Sequence, residues 1–200
     1  MDIVVIALAF AAIFVVELPD KTFLATLVLS TKYRPLLVWV GVGLAFAIQT
    51  GIAVAVGGVV TLLPRTVIHV FAALMFLAGA VILVREGRKQ HGSASEEDGS
   101  EFAEKAKEAH GAKQVLASFM VLFAAEWGDL SQLLTVSLVA RYKDAVSVFV
   151  GSLGALLVVS GLAVVLGRTL LRFIKLDLLH YLGAAVCLVL GILTVVEIFA

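Results

Sequence analysis

Charged side chains are scarce in this chain of 200 residues, of which only 15% are Asp, Glu, Lys or Arg. An ordinary soluble domain carries roughly 25% charged residues. Hydrophobic residues make up 62% of the chain, more than a soluble protein of this size can bury. The composition therefore excludes a soluble globular enzyme and a disordered chain, and it predicts an integral protein of a lipid bilayer.

The chain also has only one cysteine and a formal net charge of zero. The single Cys187 can form neither an intrachain disulfide nor a cysteine-rich metal site. Fifteen Lys and Arg balance fifteen Asp and Glu, so no basic field is available to bind nucleic acid. The N-terminus lacks the basic segment of a signal peptide, and we expect the first apolar segment to remain part of the protein.

Long apolar runs fill most of the sequence. Six of them reach the ~20 residues that a bilayer-spanning helix needs, and they cover residues 3–31, 36–60, 66–85, 114–139, 145–167 and 177–199. They are far longer than the strands of a membrane barrel, which have ~9–11 residues. The predicted fold class is an all-α membrane protein with six transmembrane helices.

The two halves of the sequence repeat at an offset of 109 residues, and the repeat includes rare polar positions. Each half has three predicted spans, an odd number, so the second half must cross the membrane in the opposite direction. We therefore predict two inverted-topology three-helix repeats, residues 1–86 and 113–200, joined by an acidic linker at 87–112. Inverted repeats are typical of transporters, whose substrate site lies near the midplane.

Basic residues in the loops predict the orientation. Eleven Lys and Arg lie in loops on one side, and three, Arg65, Arg141 and Lys143, lie on the other. The more basic side is expected in the cytoplasm. The central linker is then cytoplasmic, and both termini lie outside.

Four carboxylates interrupt the apolar spans in two matching motifs, Glu17-Leu18-Pro19-Asp20-Lys21-Thr22 and Glu126-Trp127-Gly128-Asp129-Leu130-Ser131. In each motif the Glu and the Asp are three residues apart and share a helical face. Pro19 and Gly128 should loosen the helix and free backbone carbonyls as ligands. One charge at mid-depth costs at least ~2.5–3.5 kcal/mol, so the four acids must share cations or protons.

The ligands that the motifs offer are all oxygen, which suits Ca²⁺, Mn²⁺ and Mg²⁺ and argues against Zn²⁺ and Cu⁺. The cluster cannot stay fully ionised when empty, so protons must replace the metal, and proton-coupled exchange follows. No permanently bound cofactor is expected, because the metal is the substrate. Lys21 would balance charge, and the predicted metal ligands are Glu17, Asp20, Thr22, Glu126, Asp129, Ser131 and Gln132.

Other polar and small residues leave alternatives open. Gln49 lies mid-span, where it could join the site or hydrogen-bond a neighbouring helix, and we favour the neighbour. Lys21 could pair with Glu17 for assembly alone, an interpretation that the duplicated acid pairs disfavour. Glycines concentrate in the second and fifth spans and predict close helix packing, and they include Gly41, Gly51, Gly57 and Gly151.

The two hexapeptides resemble the duplicated Glu-x-Gly-Asp-(Lys/Arg)-(Thr/Ser) signature of the calcium/manganese–proton antiporter family, within the lysine-exporter superfamily. The resemblance covers nearly the whole chain, and it implies that the cation is held by Glu17, Asp20, Thr22, Glu126, Asp129 and Ser131. Two positions depart from the signature, Pro19 in place of Gly and Leu130 in place of a basic residue. The compact length resembles bacterial members, which implies Mn²⁺ export, with Ca²⁺ as an alternative, across the inner membrane.

Besides a structural scaffold in which the acids serve only as assembly pairs, two rival functions remain at this stage. The first is export of another small solute, such as a cationic amino acid, although four clustered carboxylates favour a compact divalent ion. The second is an intramembrane metal-dependent enzyme, but the sequence has no His-Glu-x-x-His motif and no evident nucleophile. We therefore predict a transporter and not an enzyme.

Overall fold

The structure is a computed structural model that describes residues 1–18, 20–89, 109–173 and 176–199. These ranges contain helices and no strands, which agrees with the predicted all-α class. Most of the linker predicted at 87–112 lies outside them, as does Pro19. The helices are α1 (Ile3–Glu17), α2 (Lys21–Lys32), α3 (Pro35–Val60), α4 (Arg65–Lys89), α5 (Ala112–Ala125), α6 (Leu130–Tyr142), α7 (Ala145–Phe173) and α8 (Leu176–Phe199).

Three helices in the described part of the chain are long and apolar enough to cross a membrane, Pro35–Val60, Thr66–Arg85 and Ala145–Val165. A fourth span results if α1 and α2 are counted together, although they are bent by 70° relative to each other. The segments 3–31 and 114–139, expected as single spans, are therefore two helices each. In both, the motif with the two acids interrupts the helical hydrogen bonds.

The helices of the second half follow those of the first at nearly constant spacing. Helices α5, α6, α7 and α8 begin 109, 109, 110 and 111 residues after α1, α2, α3 and α4. Helix α6 is one residue longer than α2, so positions in α7 correspond to α3 at an offset of 110. The packing also corresponds: α1 lies against α7 as α5 lies against α3, and α4 pairs with α8.

Two of these crossings bring backbones into direct contact. A Cβ atom at Gly41 would lie 2.4 Å from the carbonyl oxygen of Val115, and one at Gly151 would lie 2.5 Å from that of Ile6. Only glycine permits such an approach, so the predicted packing role of Gly41 and Gly151 is confirmed. Gly51 differs, because nothing lies within 4 Å of a Cβ placed there.

Arg141, which the sequence predicts to lie in a loop, forms hydrogen bonds inside the helix bundle. It extends from the last turn of α6 to α8, where its guanidinium donates to the Leu190 carbonyl at 3.2 Å and to the Thr194 hydroxyl. The side chain is half-buried. Arg141 therefore fastens α6 to α8 inside the bundle.

Candidate metal site

Both acidic motifs fold into the same turn between two helices. Helix α1 ends at Glu17 and Asp20 caps the start of α2, while Glu126 follows α5 and Asp129 caps the start of α6. In each turn the backbone N–H of the Asp donates to the carbonyl of the Glu, at 3.1 Å in the first and 3.2 Å in the second. The turn therefore sets one carboxylate at the end of a helix and the other at the start of the next.

Gly128 and Gln132 explain why the second turn forms. Gly128 has a φ of 78°, in the left-handed region that glycine adopts without steric cost. Its N–H donates to Gln132 Oε1 at 3.2 Å, and Gln132 Nε2 donates to the Glu126 carbonyl at 2.6 Å. Both polar atoms of the Gln132 side chain thus bind the backbone of the interruption, a structural role that the sequence did not predict.

The four carboxylates meet at one point. One oxygen from each of Glu17, Asp20, Glu126 and Asp129 lies within 4.8 Å of the other three. Glu17 is 0% exposed and Glu126 is 1% exposed, whereas both Asp side chains are half-buried. The fold brings together residues from opposite halves of the chain, as the repeat led us to expect.

Hydroxyl groups accompany the carboxylates in both halves. Thr22 Oγ1 donates to Glu17 Oε2 at 2.9 Å, and both side chains are buried. At the corresponding position of the second half, the Ser131 backbone N–H donates to Asp129 Oδ2 at 3.3 Å, and the residue borders a small cavity beside Glu126. The side chain of Lys21, expected to balance charge, lies outside what the structure describes.

The helix ends give the site a suitable electrostatic environment. The C-terminal ends of α1 and α5 carry the negative end of the helix dipole, which favours a cation. The first turns of α2 and α6 carry the positive end, which favours the carboxylates of Asp20 and Asp129. Four carboxylates at this separation repel one another strongly in a buried place. A hard divalent cation or protons can relieve this repulsion.

Gln49 is a further polar side chain beside the second motif. Its Nε2 donates to the Phe123 carbonyl of α5 at 2.9 Å, so the favoured interpretation, a bond to a neighbouring helix, is confirmed. The alternative, that Gln49 joins the site, stays a prediction, and the same residue borders the cavity next to Glu126. This cavity has a volume of about 10 Å³, and its polar lining consists of Gln49, Thr50, Glu126, Ser131, Gln132 and Thr135.

Comparison with known proteins identifies a family that matches the chain. The family model described as divalent cation/proton antiporter GDT1 matches residues 5–91 and 114–200. A GDT1-like protein of Synechocystis sp. is 33% identical over 190 residues, which cover 87% of this chain and 91% of that protein. The chloroplastic PAM71-homolog of Arabidopsis thaliana is 30% identical over 212 residues, which cover 96% of this chain and 59% of that protein. No solved structure matches the chain.

Each of the two matched segments carries one acidic motif, and the two segments together make up most of the chain. The family consists of transporters and not of enzymes, and divalent cations are their substrates rather than cofactors. The predictions of a membrane transporter and of the antiporter family are thereby confirmed. The chain belongs to the GDT1 family of divalent cation/proton antiporters.

Proposed function

We propose that this protein exports Mn²⁺ from the cytoplasm in exchange for protons, with Ca²⁺ as a second substrate. The observation that carries the proposal is the convergence of four carboxylate oxygens within 4.8 Å of one another, from two corresponding turns. Hard divalent cations take six or more oxygen ligands, mainly from carboxylates, carbonyls and water. An all-oxygen cluster of this kind suits Mn²⁺ and Ca²⁺.

In the proposed site each of the four acids supplies one oxygen, and two hydroxyls extend the set, so the ligands are Glu17, Asp20, Thr22, Glu126, Asp129 and Ser131. Gln132 holds the turn at Glu126 instead of binding the metal, since both of its polar atoms contact the backbone. Lys21 reduces the negative charge of the cluster, as the sequence predicts.

Exchange follows from the charge of the cluster. When the metal leaves, the buried carboxylates must take up protons, because desolvation and mutual repulsion oppose the empty ionised state. The two repeats, residues 1–86 and 113–200, run in opposite directions and rock around this site to expose it to each side in turn. The excess of basic residues in the loops on one side supports an orientation in which the 87–112 linker is cytoplasmic and both termini lie on the outer side of the inner membrane.

The test is transport by the purified protein in proteoliposomes, with Mn²⁺ or Ca²⁺ outside and a pH dye inside. We expect metal uptake to be accompanied by a rise in lumenal pH as protons leave. A Glu17→Gln/Asp129→Asn double variant should lose both signals, because it removes two ligands and two proton acceptors. Asp144→Asn is a matched control, since Asp144 lies in the turn before α7, outside the cluster.

The outcomes separate the parts of the proposal. Metal uptake without any change of lumenal pH would contradict antiport. Full transport by the double variant, at equal expression and with the same thermal unfolding profile, would contradict the site. Flux of a cationic amino acid in the absence of metal flux would favour the rival solute exporter.

A further inference from the structure

The two acidic motifs have different surroundings although their turns correspond. Beside the first motif lies an apolar cluster, formed by Leu18, Phe23, Val159 and Ala163. The corresponding positions beside the second motif, by the offsets of 109 and 110 residues, are Trp127, Gln132, Gln49 and Ala53. Two glutamines thus replace a phenylalanine and a valine, and the small cavity lies on this side, bordered by both glutamines.

The geometry of Gln49 determines where its amide oxygen points. The side chain is only 3% exposed, and its NH₂ group donates to the Phe123 carbonyl at 2.9 Å. Only the nitrogen of an amide can donate to a carbonyl, so the oxygen must face the other way. Gln49 Oε1 is buried and has no hydrogen-bond partner within the described residues. A buried acceptor held in this way calls for a donor or a cation, because leaving it unsatisfied costs about 1–3 kcal/mol.

The cavity lies between the Gln49 side chain and the acidic cluster. Gln49 borders it together with Glu126 and Ser131, and Glu126 is one of the four carboxylates that converge. Its volume of about 10 Å³ matches the space that a single water-sized sphere occupies, about 10–15 Å³. The four carboxylates and the two hydroxyls of the proposed site provide six oxygens, the lower end of the six to eight that Ca²⁺ takes, so further oxygen ligands can be accommodated. An amide carbonyl is among the ligands that such cations accept.

We propose that Gln49 Oε1 is a neutral ligand of the transported divalent cation, supplied to the second motif alone. This inference rests on the proposed function, in which the four carboxylates bind the cation. Because an amide carries no charge and takes up no proton, Gln49 contributes to affinity and to metal preference without changing the number of protons exchanged. Val159, at the corresponding position beside the first motif, contributes nothing of this kind.

The test replaces the hard oxygen with a soft sulfur. We expect Gln49→Met to lower Mn²⁺ affinity by about tenfold, at the low end of the 10–100-fold that even outer-shell partners of a metal contribute. Affinity for the thiophilic ion Cd²⁺ should be retained or raised, because a thioether prefers soft metals. The measurement is equilibrium binding of each ion to the purified full-length protein in detergent.

Two further variants separate a ligand from a merely structural residue. Gln114→Met is the matched control, since Gln114 is also buried but contacts the Arg34 N–H and the Ala109 carbonyl, and its Mn²⁺/Cd²⁺ preference should equal that of the wild type. Gln49→Glu keeps an oxygen but removes the NH₂ donor to Phe123. A ligand role predicts that this variant retains Mn²⁺ affinity, whereas a purely structural role predicts a loss as large as in Gln49→Leu.

Unchanged Mn²⁺/Cd²⁺ preference in Gln49→Met would overturn the inference while leaving the proposed function intact. Equal losses for both ions in the Met, Leu and Glu variants would also overturn it, because they would show that Gln49 acts only by fastening α3 to α5. If Gln49→Met fails to fold, the Glu variant decides the question alone. Absence of Mn²⁺ and Ca²⁺ binding by the wild type would instead contradict the proposed function, and the inference with it.

Discussion

The hydroxyl of Thr22 offers a sharp test of the site, because it donates to a buried carboxylate and carries no charge of its own. Thr22 Oγ1 lies 2.9 Å from Glu17 Oε2, and the two residues are 2% and 0% exposed. Thr22→Val keeps the shape of the side chain and removes the hydroxyl, which is both the donor to Glu17 and one of the proposed ligands. Glu17 then loses a hydrogen bond to its ionised form, and this is the form that binds a metal.

The size of the effect follows from the type of bond. Hydrogen bonds to charged groups contribute about 1.5–3 kcal/mol, and each 1.4 kcal/mol corresponds to about a tenfold change in an equilibrium constant. We therefore expect Thr22→Val to weaken Mn²⁺ binding by about 10–100-fold. Equilibrium binding of Mn²⁺ to the purified protein measures the change directly, and proton-coupled uptake into proteoliposomes should fall with it.

The matched control is Thr22→Ser, which keeps the hydroxyl and should bind Mn²⁺ much as the wild type does. Wild-type affinity in a folded Thr22→Val protein would refute the reasoning, because it would mean that the bond to Glu17 is not coupled to ion binding. Equal losses in the Ser and Val variants would point to packing of the methyl group and would refute it as well.

Two other predictions concern stability. Gly151→Ala should lower the free energy of unfolding by about 1–3 kcal/mol, a typical cost of overpacking, because its Cβ would lie 2.5 Å from the Ile6 carbonyl oxygen. Gly51→Ala is the control and should leave the free energy of unfolding unchanged, because nothing lies within 4 Å of a Cβ at that position. Thermal unfolding in detergent measures both variants. At the start of α7, the hydroxyl and then the backbone N–H of Ser147 hold the pKa of Asp144 below its ordinary value of 3.8. A carboxyl whose pKa is lowered in the folded state stabilises the fold above pH 3.8, and this stabilisation is lost as the pH falls through the pKa of the folded state. Ser147→Ala should therefore show less acid destabilisation than the wild type in unfolding scans between pH 5 and 3.

The residues of the acidic cluster could be predicted from the sequence for a simple energetic reason. Glu17 and Glu126 stand in long apolar runs, where an ionised side chain is costly unless it serves a function. The repeat then indicated that the two motifs would meet, and the structure brings their carboxylates within 4.8 Å. An ionisable residue that is energetically unfavourable in an apolar span and recurs in both repeats therefore predicts a contact between the two repeats, even when the helix packing is unknown.

The hydrogen-bond partners of Gln49, Gln132 and Arg141 could not be predicted in this way, although the sequence favoured a bond from Gln49 to a neighbouring helix. An amide or a guanidinium donates a hydrogen bond to whichever carbonyl oxygen lies nearby in the packed bundle. Which carbonyl this is depends on the rotation of each helix and on the geometry of the helix crossings. Arg141 counts as a loop residue by hydropathy, yet it bonds α8 inside the bundle. The breaks at the two motifs were expected only as loosened turns, because mean hydropathy does not distinguish one long span from two short helices.

The break in each helix, and not only the carboxylates, suits the site to a cation. In a continuous helix the carbonyls of Glu17 and Glu126 would accept from the residues four positions later, whereas here each accepts from the Asp three positions later. The carbonyls of Glu17 and Glu126 therefore lack their helical donors, which is tolerable at membrane depth only where the backbone lines a site or is held by other groups. On the second side Gln49 holds the Phe123 carbonyl and Gln132 holds the Glu126 carbonyl. The same two glutamines that make the interruption stable therefore also give the second motif its polar surroundings, so the two sides of the proposed cation site differ chemically.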